Sequence, residues 1–82
     1  MTLYMDVHTL GGEVTADAVA DAHRRDLEEQ GAHDVKYLNY WVDEKAGKIF
    51  CLVDAPSADA ANEVHRKAHG LVAQEIYPVQ QG

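Results

Sequence analysis

The chain has 82 residues, 46% hydrophobic and 26% charged, with seven basic against 14 acidic side chains and a formal net charge of −7. That balance suits one globular domain over residues 1–82 and excludes a disordered tail or a collagen-like chain. An acidic chain without a basic stripe is a poor partner for nucleic acid or an anionic membrane, and no apolar run nears the ~20 residues of a bilayer span.

The polar start Met1-Thr2-Leu3-Tyr4-Met5-Asp6 does not read as a signal peptide, and one cysteine cannot build a disulfide framework; both suit the reducing cytoplasm. Residues 3–8 alternate imperfectly as a first strand, closed by Gly11-Gly12. Thr15 is an N-cap, with Asp17 in the first turn where the helix dipole favours an anion. Ala16, Val19, Ala20 and Leu27 then keep helical spacing to Gln30, and Gly31 is the expected stop. Residues 35–42 are aromatic and β-branched, hence a strand, and residues 43–48 form a hairpin turn containing Gly47. Ile49-Phe50-Cys51-Leu52-Val53 is a continuous apolar run, expected to be a central strand buried on both faces. Ser57 caps a second helix running to about His69 with Gly70 behind it, and Glu75–Val79 is a last strand that Pro78 marks as an edge.

The order β-α-β-β-α-β predicts an α+β ferredoxin-like fold: a four-stranded antiparallel sheet with both helices on one face, of the dimeric αβ-barrel type. An internal echo supports it. Thr15–Arg24 and Ser57–Arg66 share a hydroxyl cap, an Ala-Asp-Ala start and His-Arg eight residues after the cap. The bare sheet face, expected to carry Tyr4, Tyr37, Tyr40 and Trp41, predicts a homodimer.

Five histidines in 82 residues, beside one cysteine and surplus carboxylates, are the unusual feature. With His23 at zero on a wheel of ~100° per residue, Ala16, Val19, Ala20, Leu27 and Gln30 fall within about 60° and Asp26 at about −60°. His23 therefore centres the packed face, with Asp26 one turn along. On the second helix His65 lies at about +40° from Ala61, among Ala58, Ala68 and Val72, with His69 at the rim. His65 and His69 are four apart, a spacing that lets two imidazoles share a cation. His23, Asp26, His65 and His69 converge between helices and sheet, and Cys51 joins them if its strand parity faces that way. Imidazole, carboxylate and thiolate suit borderline ions such as Ni, Cu, Zn or Co rather than Mg or Ca. His8 and His33, near element ends, read as surface or dimer-contact residues, and Asp17, Asp21, Glu28, Glu29 and Asp59 as solvated helix face.

The strings His23-Arg24-Arg25-Asp26-Leu27-Glu28-Glu29-Gln30, Tyr40-Trp41-Val42-Asp43, Phe50-Cys51-Leu52, Ala55-Pro56 and His65-Arg66-Lys67-Ala68-His69-Gly70-Leu71 resemble a family of small actinobacterial nickel-binding proteins that long carried an uncharacterised-domain name. The similarity covers almost the whole chain, and His-x-x-x-His-Gly-Leu is its most specific piece. It implies a ferredoxin-like fold, a homodimer, nickel binding and a part in nickel homeostasis. It makes His23, Asp26, Asp43, Cys51, His65 and His69 the motif positions.

The expectation is thus a non-catalytic nickel-binding protein with metal ligands among His23, Asp26, Cys51, His65 and His69, and with Cu or Zn as competing ions. The alternative is a small dimeric αβ-barrel enzyme in which His and Tyr side chains do acid–base work on a small organic molecule. A third is a structural dimer whose histidines sense pH.

Overall fold

A computed structural model describes residues Met1–Gly82. In chain order the elements are β1 (Thr2–Thr9), α1 (Ala16–Glu29), a 3-10 turn (Gln30–His33), β2 (Lys36–Asp43), β3 (Lys48–Ala55), α2 (Ala58–Ala68) and β4 (Glu75–Pro78). The strands form one antiparallel sheet in the order β2-β3-β1-β4, the ferredoxin-like arrangement. β1 and β3 are central, and Pro78 lies on an edge strand, where a missing N–H costs no ladder bond. Neither helix is long and apolar enough to cross a membrane.

Both helices start where their caps direct. Thr15 and Ser57 accept hydrogen bonds from the N–H groups of Ala18 and Ala60, each satisfying a donor that the first turn leaves open. α2 ends at Ala68, and Gly70 takes a positive φ of 83°. Val72 therefore lies beyond the helix, exposed rather than on its packed face. α1 closes at its C-cap Gln30 with Gly31 directly after it, as expected. The chain continues through the 3-10 turn and is reversed at Asp34, which adopts a left-handed conformation (φ 58°) that a short polar side chain tolerates. Gln30 holds this extension by accepting the Tyr37 N–H through its side chain.

The packed face of α1 is rotated about 60° from the expected one, so that Asp26 rather than His23 is at its centre. Val19 and Asp26 are buried, His23 is half-buried, and Ala16, Ala20 and Leu27 face solvent, Leu27 with 44% exposure. The reason is polar: in this rotation Asp26 meets the ring N–H groups of His65 on α2 and of His69 just beyond it, without which a buried carboxylate is costly.

β3 is covered on one face only. Ile49, Cys51, Val53 and Ala55 are buried beneath the helices, while Phe50, Leu52 and Asp54 on the other side are half-exposed. The expected burial on both faces fails because both helices occupy the same side. Tyr4, Tyr37 and Tyr40 also pack on the helix side, against the core, and only Trp41 of the expected aromatic set points to the open face. A register irregularity between Tyr37 and Asn39 inserts the extra residue that turns both Tyr37 and Tyr40 the same way. Apolar packing here is light, built of Val and Ala with one Ile, one Cys and one Tyr. The largest fully buried side chains are His65, Val53, Val64 and Asp6, so the middle of the molecule is polar.

Candidate metal centre

Position in the sheet assembles the centre. Asp6 and His8, two apart on β1, share one face, and the register sets Asp6 opposite Cys51 of β3. That face lies under α1 and α2, so Asp6 (0% exposed) and His8 (3%) are buried. His8 is therefore not the surface residue its place near a strand end suggests. α2 brings His65 (1% exposed) down onto this face, and α1 brings Asp26.

The contacts converge on His65. Its Nδ1–H donates to Asp26 Oδ1 at 2.9 Å. Its Nε2 lies 2.9 Å from Asp6 Oδ2, 2.8 Å from the Tyr37 hydroxyl oxygen and 3.2 Å from His8 Nε2. The Tyr37 hydroxyl has two acceptors in reach, Asp6 Oδ2 and the Ala61 carbonyl, both at 3.0 Å. His69 accepts the Leu71 N–H on Nδ1, which leaves Nε2–H to face Asp26 Oδ1 at 3.1 Å. Asp6 Oδ1 and His8 Nδ1 are buried and make no hydrogen bond.

Protonation follows from this crowding. Burial pulls the His65 pKa down, but hydrogen bonds to Asp26 and Asp6 and their negative charge overcome it and push it up to about 9. Burial opposes ionisation of Asp6 and Asp26 as well. His65 and His8, whose Nε2 is 3.2 Å from Asp6 Oδ1, nonetheless hold the Asp6 carboxyl below the usual carboxylate range, and His65 and His69 do the same for Asp26. Burial, then the nearby carboxylates, drive the Cys51 thiol and the Tyr37 phenol far upward, so both stay protonated beside two buried anions. At neutral pH Asp6 and Asp26 are thus ionised around a protonated His65.

Four of the five expected ligands meet here, in two overlapping groups. Asp6, His8, Cys51 and His65 form one and Asp26, His65 and His69 the other, the donor atoms within each lying within 4.8 Å of one another. His23 belongs to neither. It lines the same cavity, its ring 4.6 Å from that of Tyr40, and burial lowers its pKa and keeps it neutral. Asp43 stands apart as well: its carboxylate accepts the Ala46 N–H in the exposed hairpin turn. Asp6 and His8 went unpredicted, although two polar residues of equal parity in an otherwise apolar strand are a signal that this face meets something polar.

A divalent cation fits these residues. His65 Nε2 can offer one proton, yet Asp6, Tyr37 and His8 all crowd it. The two Nε2 atoms stand 3.2 Å apart, within the ~2.9–3.4 Å that separates neighbouring nitrogens on one ion with metal–nitrogen bonds of about 2.0–2.1 Å. Two imidazoles, a carboxylate and a thiol are a borderline donor set, and the carboxylate charge is in place to be neutralised. The cavity beside His8, Cys51 and His65, lined also by Asp26, is about 20 Å³, room for one small occupant.

The comparisons agree with this picture. The sequence profile of the SCO4226-like family, described as nickel responsive protein, matches residues 4–79. The crystal structure of SCO4226 from Streptomyces coelicolor A3(2) superposes with a TM-score of 0.90 at 36% sequence identity, covering 98% of each chain. Curated proteins yield no significant match.

Proposed function

Because the chain belongs to the SCO4226-like nickel responsive protein family, we propose that its buried centre binds nickel as cargo, held by Asp6, His8, Cys51 and His65. The carrying observation is the crowding of Asp6 Oδ2, the Tyr37 hydroxyl and His8 Nε2 within 3.2 Å of His65 Nε2, which brings two imidazole nitrogens and a carboxylate close enough to share one divalent ion. The donor atoms alone suit copper, zinc or cobalt equally, and nickel is taken from the description of the family. Of the sequence-derived ligands, Cys51 and His65 stay in the inner set. Asp26 orients His65 through Nδ1 and is itself fixed by His69, the support that metal-bound imidazoles commonly have behind them.

The protein stores or buffers the metal and does not catalyse a reaction. A cavity of about 20 Å³ leaves no space for an organic substrate, which counts against the alternative of an acid–base enzyme. A free Cys51 suits a cytoplasmic location, and the open sheet face suits a homodimer.

The test is metal analysis of untagged protein, followed by calorimetric titration with nickel, zinc and copper. One nickel per chain is expected, with affinity reduced about tenfold or more, the loss of over 1.4 kcal/mol, by Cys51→Ala or His8→Ala. Cys51→Ala should also remove the near-ultraviolet thiolate-to-nickel absorption. His65→Ala is the poorer probe, since it strands two buried carboxylates and endangers the fold. Nickel binding indifferent to both variants would put the metal on the surface and sink this assignment.

A further inference from the structure

The ligands of the centre are buried, so an incoming ion needs a first contact at the cavity mouth. Its floor is His8, Asp26, Cys51 and His65, all buried, and its partly exposed rim includes Ala22, His23, Tyr40, His69 and Leu71. Of these, only His23 and His69 carry an imidazole. His69 has both ring nitrogens engaged, by the Leu71 N–H and by Asp26. His23 does not. Its Nδ1 is buried and makes no hydrogen bond, and the ring is held at the mouth by packing against Tyr40. It stands three residues before Asp26 on α1, a spacing that puts the two side chains about 5–6 Å apart at Cβ on one helix face.

We propose that His23 is a capture ligand, whose imidazole takes a divalent ion from water at the mouth and passes it inward without joining the final set. This rests on the reading of the inner centre as a metal site. A free imidazole is a good ligand for borderline ions, whereas the neighbouring apolar rim offers none. The inner residues Asp6, His8, Cys51 and His65 are all buried, so an ion reaches them only past this rim. A residue bound to the ion in neither end state speeds filling and emptying alike and leaves the equilibrium unmoved.

The test is stopped-flow mixing of the protein with nickel chloride, followed by a metallochromic indicator, and the reverse extraction of nickel by a chelator. The variants are His23→Ala and His23→Gln, the second retaining bulk without the ring, with His33→Ala, a part-buried imidazole paired with Glu29, as a control away from the cavity. In both His23 variants filling and extraction should slow together by about tenfold, with affinity kept within about threefold and stoichiometry unchanged. Unchanged rates would make His23 a mere wall. Faster filling in His23→Ala would make the ring a plug, and a lost equivalent of nickel would make it a final ligand. Equal slowing in His33→Ala would assign capture to the surface at large. Each of these overturns the inference while sparing the inner site. Nickel binding that ignores both Cys51→Ala and His8→Ala would instead overturn the inner site, and the inference with it.

Discussion

On the proposed reading His65 is where metal and proton would compete, and its protonation makes the stability of the metal-free protein depend on pH. Its pKa is raised from 6.5 to about 9 in the folded state. A group raised on folding adds stability in full below its unfolded pKa, and that addition fades as pH climbs through the folded value. The shift is worth on the order of 3 kcal/mol. Asp6 and Asp26 work the other way: lowered from 3.8 on folding, they stabilise above that value and cease to as acid protonates them. The unfolding midpoint of the metal-free protein should therefore be highest between about pH 4 and 6.5, falling by roughly 10 °C or more as pH rises to 9. Nickel removes the competing proton, so a nickel-saturated sample should hold or raise its midpoint over that interval. A thermal series on chelator-treated and nickel-loaded protein decides it, and a midpoint flat from pH 6 to 9 without metal would contradict the charge assignment.

Among elements, the hairpin between β2 and β3 is latched to the loop after β1. Leu10 N–H donates to the Gly47 carbonyl and Val14 N–H to that of Glu44. Gly47 has φ 65°, and a Cβ there would stand 1.8 Å from the Gly12 carbonyl oxygen, a clash that backbone must relieve. Gly47→Ala should cost at least about 2 kcal/mol, beyond the penalty of a positive φ alone. Gly31→Ala, with open space around it, should be near neutral or stabilising, and chemical denaturation of the pair tests both. Local signals of this kind were legible in the sequence: the caps Thr15 and Ser57, the inward His65, the edge Pro78 and the element order. What escaped depends on which face of the sheet is covered. A strand shows its parity but not which side carries the helices, so the shared parity of Asp6 and His8 marked a polar face without saying whether water or the helices met it. One irregular residue near Asn39 reversed the tyrosines. On α1, apolar spacing pointed at Ala16, Ala20 and Leu27, whereas the hydrogen bonds offered to Asp26 by α2 set the rotation. That bonding pairs residues 39 apart, which no local period reveals.

For the whole molecule, the consequence of placing both helices on one side is a bare sheet. Leu3, Met5, Leu38, Trp41 and Leu52 line a groove of about 500 Å³ on it, bounded by Gln80 and Gln81, and Trp41 is 52% exposed. The cross-strand pairs Lys36 with Asp54 and Lys48 with Asp43 put both signs of charge at the margins, so two copies can meet there although each carries −7. We expect a two-fold dimer closed through this face, since an apolar patch ringed by balanced charge is the pattern of a self-complementary interface. Light scattering should return twice the 9.0 kDa of one chain, and Trp41→Glu should yield monomers. The centre lies on the opposite side of the sheet, among Asp6, Cys51 and His65, so Trp41→Glu monomers should bind nickel as the wild type does. A single-chain mass at micromolar concentration would end the dimer expectation. Monomers that bind no nickel would show instead that pairing the open faces is what stiffens β1 and β3 enough to hold the ion between sheet and helices.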